Sequence, residues 1–213
     1  MIGLEKIMRK DKSIKPTTIE EEVAKQLINI EIQTPEIKGI MKAFGFLSAA
    51  QYKINDKTTA ILITIPQPLL AKFLTIAKIL IPKLESQFHC PILVIAKRKI
   101  ISRHIKVKRT QAIPRSRTLT AVHKAILDDL IYPFTILDKR ERVKTDGTSV
   151  HKICFTDKAV ELLNTYDKKQ AIEHIYKALT CKTLVIDFIH VESKLPKKKK
   201  TKEEKEHEAD AKY

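Results

Sequence analysis

Tryptophan is absent from this 213-residue chain, glycine occurs four times, cysteine three times, and aromatic residues make up 6%. Each shortage removes a class of function. So little glycine leaves no phosphate-cradling loop of the P-loop or Rossmann kind. The cysteines, Cys90, Cys154 and Cys181, are odd in number and far apart, which indicates neither a disulfide framework nor a paired-cysteine zinc site and fits a reducing compartment. Few aromatics and no RRM-like motif make base stacking across a sheet a weak expectation, and favour contacts to phosphate and 2′-hydroxyl groups. Long apolar runs are missing too. Lys72 and Lys78 interrupt the best candidate, Leu69 to Ile81, well short of the roughly 18 residues of a spanning helix. The first residues carry charges where a signal peptide has its apolar stretch. The expectation is a soluble protein of the cytosol or nucleus, with no membrane partner.

What is present is a globular composition, 43% apolar, combined with a formal net charge of +16. Self-repulsion of that size disfavours a compact state unless an acidic partner relieves it. The charge is concentrated: from Lys97 to Arg117 the sequence holds nine Lys or Arg and no Asp or Glu. A connection this long is unusual inside a compact domain unless it has a function. Lysines and arginines held together displace counterions from a phosphate backbone, and Arg103, Arg109, Arg115 and Arg117 can also grip phosphate oxygens bidentately. The competing reading is an exposed basic strand from Lys97 to Lys106, with Ile101, His104 and Ile105 partly packed and its charges merely solvated. A nuclear-localisation signal is a compatible second use of the same residues.

Residues 1–16 read as a basic arm ending at Pro16. A capping box at Thr18 and Glu21 opens a helix with Ile19, Val23, Leu27 and Ile30 on one face, and Thr34-Pro35 stops it ahead of a short helix ending near Gly45. A hairpin turning at Asn55-Asp56 leads into a strand, Thr58 to Ile65, buried on both faces. The stripe Leu69, Phe73, Ile76, Leu80 and Leu84 predicts a helix that Pro82 kinks or ends near Ile81. The strand ILVIAK then completes a βαβ unit. Beyond the basic segment, Leu119, Val122, Ile126 and Leu130 predict a helix closed by Pro133. Asp146-Gly147 marks a second hairpin. A helix from about Asp157 to Leu179 and the strand TLVIDF follow. No internal repeat is visible. The architecture expected is mixed α/β: a central mixed sheet with a βαβ unit and hairpins, packed by helices, with a protruding basic loop. It forms one domain over 17–193, with 97–117 as the loop and 194–213 as a charged, disordered tail.

Catalytic chemistry finds no foothold in the sequence. His89-Cys90 has no second ligand pair at zinc spacing, so no metal is expected. His123 lies on a helix stripe, where a packed histidine is the simpler reading than a general base. Asp128 and Asp129 point about 100° apart on a helix and do not converge on one metal. They read as a solvated edge, with one pairing to Lys124 or Lys139. Ser116 lacks the elbow glycines of a hydrolase nucleophile.

The run PRSRTLTAVH from Pro114, with AILDDL after it, KRERVKTDG from Lys139 and VIAKRKI from Val94, resembles the eukaryotic small-subunit ribosomal proteins of the S7e family. The likeness is collinear from about Thr18 to about Ile189. Three features depart from the family pattern: a shorter basic loop, Pro82 inside a helix, and the tail after Glu192. The resemblance implies an α/β domain embedded in small-subunit rRNA, a part in rRNA processing and subunit assembly, and no catalysis or cofactor. It implies neighbouring small-subunit proteins and pre-ribosomal assembly factors as partners, no small-molecule substrate, and residence in cytoplasmic ribosomes with a nucleolar stage. The matched RNA-contact candidates are Lys97, Arg98, Lys99, Pro114, Arg115, Ser116, Arg117 and Thr118, with Arg140 and Arg142 on the hairpin. Arg103, Lys106, Lys108 and Arg109 join them on charge alone. The alternatives from other classes are an RNA-processing enzyme or a non-ribosomal RNA-binding or RNA-processing accessory protein, and a regulatory module that captures a protein on a β edge.

Overall fold

The structure, a computed structural model, describes residues 4–8, 15–55, 58–102, 114–156, 163 and 167–189. Most of the basic loop, the start of the helix expected from Asp157, the Asp56 side of the first turn and the charged tail lie outside them.

Helix α1 (Thr18–Gln33) is capped by Thr17, one residue earlier than the expected Thr18. The Thr17 N–H donates to Glu20 Oε2 at 2.9 Å and the Glu20 N–H to Thr17 Oγ1 at 3.4 Å. The choice follows from tertiary packing, because the buried Glu20 also accepts from the Ala49 N–H. Val23, Leu27 and Ile30 face inward as their spacing predicts, and α2 (Pro35–Lys42) starts on its proline. The described part of the expected arm is docked: Ile7 bridges Phe46, and the Lys6 ammonium pairs with Glu31 at 2.7 Å.

Strands β1 (Ser48–Lys53) and β2 (Thr59–Pro66) form the expected antiparallel hairpin, and β3 (Ile92–Lys97) pairs parallel with β2. The connecting helix, α3 (Leu70–Phe88), does not stop at Ile81 but runs through Pro82. Pro82 and Lys78, whose carbonyl loses its helical donor, both lie on the exposed side, so water can serve that carbonyl while Leu80 and Leu84 stay packed. Helix α4 (Leu119–Ile131) buries Val122, Leu127, Leu130 and Ile131, whereas Leu119 is 53% exposed. Its buried face is therefore turned from the expected stripe towards Leu127.

Beyond α4, β4 (Asp138–Val143) and β5 (Ser149–Thr156) make the second hairpin. Gly147, at φ 76°, supplies the positive dihedral that this turn needs. The helix expected from about Asp157 to Leu179 does not run unbroken, because Asp167 is left-handed at φ 54° and caps a separate helix, α5 (Lys168–Thr180), which returns the chain to β6 (Thr183–Ile189), parallel to β5.

The fold is mixed α/β, but among the described residues the six strands form two three-stranded sheets rather than one central sheet, in orders β1-β2-β3 and β4-β5-β6. Each is a hairpin followed by a parallel crossover through a helix, so the same order of pairings occurs twice. The alternation in β2 and β3 explains how they stack. Ile61, Ile63, Ile65, Ile92 and Val94 face a core shared with α1 and α3; Ala60, Leu62, Leu93 and Ile95 face a second core. That second core adds Leu127 and Leu130 from α4, Ile153 and Phe155 from β5, Ile172 and Ile175 from α5, and Leu184 and Ile186 from β6. A strand apolar on both sides is the residue-level cause of the two-core arrangement.

Candidate nucleic-acid interface

The end of β3 and the start of α4 are tied together below the basic segment. The Ile101 N–H donates to the Arg117 carbonyl at 3.0 Å, which brings the two ends of that segment together. Arg115–Arg117 form one 3₁₀ turn after Pro114, and the Thr118 hydroxyl donates to the Arg115 carbonyl at 2.7 Å. This turn aims the PRSRT backbone into α4 and leaves Arg115, Ser116 and Arg117 exposed.

Alternation separates Lys97-Arg98-Lys99 into two roles. Lys97 and Lys99 are exposed. Arg98 turns inward and grips Asp129 with both guanidinium nitrogens, Nη2 to Oδ1 at 3.0 Å and Nη1 to Oδ2. Asp129 Oδ2 also accepts from the Ala96 N–H at 3.0 Å. The two side chains are only 12% and 8% exposed. Asp129 is therefore not part of a solvated edge and pairs with neither Lys124 nor Lys139; it clamps α4 to β3. Asp128, one residue earlier, is exposed as expected.

Between β3 and α4 lies an open concavity of about 620 Å³, with Lys97, Lys99, Ser116, Arg117, Lys124 and Asp128 among its lining residues. Lys124 and Asp128 also line a second concavity, of about 560 Å³, that continues to Asp138 and Lys139. The cationic strip therefore runs from the end of β3, across α4, to the first residues of β4. Lys124 and Gln67 were not among the sequence candidates. Ala121, Lys124, Ala125 and Asp128 fall at i, i+3, i+4 and i+7, a helical face opposite the apolar stripe, which is the signal that could have found Lys124.

Arg140 and Arg142 do not join this strip. Their register partners are Lys152 and Val150, whereas Lys139 and Glu141 oppose Ile153 and His151. Opposed residues share a face, so the two arginines lie on the open face of the second sheet. Arg140 Nε also donates to Asp138 at 2.6 Å. Arg103, Lys106, Lys108 and Arg109 lie outside the described residues.

Cys90, Cys154 and His151 are buried, whereas Cys181, His89 and His174 are exposed. Burial, followed by Glu85, pushes the Cys90 thiol up to about 11, which keeps it protonated and a poor ligand. Among the described residues no group of three or more His, Cys, Asp or Glu is placed to hold a metal ion. His151 is buried with its ring edge-on to Tyr176 at 6.4 Å, and neither ring nitrogen has a hydrogen bond among the described residues. Burial holds His151 and His123 below their ordinary 6.5; Lys182 acts in the same direction on both, and Glu141 opposes it at His151. The unfolded chain takes up these protons near 6.5 and the folded chain only at lower pH. Stability is therefore full above about 6.5 and is lost as pH falls through 6.5 towards the depressed values. Thermal melts at about pH 7.5 and about pH 5.5 are expected to show a lower Tm in acid, and His151→Phe should remove part of that difference. A variant as acid-sensitive as the parent would assign the loss to other groups.

Fold and surface define a class: a small, strongly basic mixed α/β protein with a strip of exposed cations between β3 and α4. Comparison with known proteins narrows it. The family model described as ribosomal protein S7e matches residues 7–188. Small ribosomal subunit protein eS7 of Avicennia marina is 37% identical, covering 87% of this chain and 96% of that protein. The eS7z protein of Arabidopsis thaliana is 34% identical, covering 88% and 97%, and eS7 of Schizosaccharomyces pombe is 34% identical, covering 88% and 96%. The chain belongs to the ribosomal protein S7e family, a family of structural ribosomal proteins and not of enzymes.

Proposed function

We propose that this protein is a structural constituent of the small ribosomal subunit that binds small-subunit rRNA through the strip at the base of its basic loop. In this reading it supports subunit assembly and rRNA processing, meets neighbouring ribosomal proteins and assembly factors, and works in cytoplasmic ribosomes after a nucleolar stage. The observation that carries the reading is the gathering of exposed Lys97, Lys99, Arg117 and Lys124 around one concavity beside Arg115, while the other nearby cation, Arg98, is neutralised by Asp129. Family membership supports the ribosomal setting. Arg103, Lys106, Lys108 and Arg109 extend the same charge along the loop, and Arg140 and Arg142 offer a separate contact from the open face of the second sheet.

The mechanism is electrostatic. Cations fixed at short spacing on a folded base release condensed counterions when phosphates replace them, and folding has already met the cost of bringing the cations together. If about five cations meet phosphates, the logarithm of the affinity for an rRNA fragment should fall with the logarithm of salt at a slope of about −3.5 to −4.5. Titration of a small-subunit rRNA fragment across a salt series checks this, and a slope near zero would point to a protein-capturing module instead.

A further inference from the structure

We propose that the concavity between β3 and α4 takes one unpaired RNA nucleotide, and that Asp128 accepts hydrogen bonds from its base. The inference rests on the rRNA reading above and adds to it a selectivity that phosphate contacts alone lack.

Asp128 is the anomaly. It is exposed, it lines the same concavity as Lys97, Lys99, Arg117 and Lys124, and it makes no ion pair or hydrogen bond among the described residues. Its neighbour Asp129 performs the structural work, so Asp128 is not needed to hold α4 in place. A free carboxylate beside cations that grip phosphates weakens binding by repulsion, unless the ligand presents donor hydrogens to it. Phosphates have none and a ribose offers a single 2′-hydroxyl, whereas the Watson–Crick edge of an unpaired guanine offers two donors side by side.

The surroundings suit a base. Pro114, Ala121 and Ala125 give the lining small apolar surfaces, and Arg117 supplies a planar guanidinium on which a ring can lie. The volume of about 620 Å³ falls within the roughly 300–1,000 Å³ of small-ligand sites. Lysines at the rim can hold the flanking phosphates of a nucleotide turned out of its helix. Among the four bases, guanine carries N1–H and N2–H side by side and can meet both oxygens of one carboxylate. Uracil has a single N3–H.

The test uses the full chain and two RNA hairpins that differ only in a one-nucleotide bulge, G or U, with affinity followed by fluorescence anisotropy. The parent is expected to prefer the G bulge by about fivefold or more, the size of a good bidentate contact. Asp128→Ala should bring the two hairpins to equal affinity, leaving the salt slope and the melting temperature unchanged. Equal affinity of the parent for both hairpins would overturn the proposal, as would an Asp128→Ala variant that binds both more tightly by the same factor, the signature of simple repulsion. In either case a steep salt slope would leave the phosphate reading standing. Failure of the parent to bind either hairpin would remove both.

Discussion

Asp129→Ala is expected to destabilise the fold by about 3–5 kcal/mol, a drop in Tm on the order of 10 °C. The magnitude follows from what is left behind. The Arg98 guanidinium would remain beneath a surface that leaves it 12% exposed, with no counter-ion, and the Ala96 N–H at the end of β3 would lose its acceptor. Arg98→Ala should cost a similar amount by stranding the Asp129 carboxylate. Replacing both partners by apolar residues, as in Arg98→Met with Asp129→Leu, should recover much of the loss, because the desolvated charges disappear together. Urea melts of the four chains decide the matter. If Arg98→Ala melts like the parent and loses RNA affinity instead, then Arg98 belongs with Lys97 and Lys99 as a phosphate contact and the clamp is incidental.

The opposite pattern is expected one turn before α4. Arg115→Ala combined with Arg117→Ala should weaken association with small-subunit rRNA by at least about tenfold, since charge-assisted hydrogen bonds to phosphate are among the stronger polar contacts. It should also make the salt slope shallower by about 1.4 to 1.8, the counterions of two phosphates. Thermal unfolding should hardly change, because both side chains are exposed and neither takes part in an ion pair among the described residues. The 3₁₀ turn is held by backbone bonds and by Thr118, which the substitutions leave alone. A variant that loses affinity and stability in equal measure would make the PRSRT turn a structural element rather than a contact.

These two experiments divide residues that look alike in sequence. Nothing in the string Lys97-Arg98-Lys99 singles out its middle member. The division comes from the end of a strand, where successive side chains point to opposite sides, and from an aspartate 31 positions away on the next helix. The distinction between Asp128 and Asp129 has the same origin. Both sit on α4, and only the one whose direction meets β3 is drawn into a pair. Pro82 illustrates a different limit: a helix breaker predicts a stop, but its place on the exposed side lets the packed stripe carry α3 to Phe88.

Local pattern was enough to place both hairpins, the first four helices and the crossover from β2 to β3, but not the left-handed Asp167 that makes α5 begin at Lys168. Periodicity, turn chemistry and caps act within a few residues of one another, and the motif runs were specific enough to indicate the family. The capping threonine was missed by one because two threonines and three glutamates compete at the start of α1, and contact with β1 chose between them. What only the tertiary structure decided is which faces oppose: that six strands divide into two sheets with the same pairing order, that Lys124 and Lys139 extend a cationic strip begun by Lys97 and Lys99, and that Arg140 and Arg142 lie on another face. A residue's own neighbours set the side of its element on which it lies. The element packed against that side, tens of residues away along the chain, sets whether a charge there is buried in a pair or left free for a ligand.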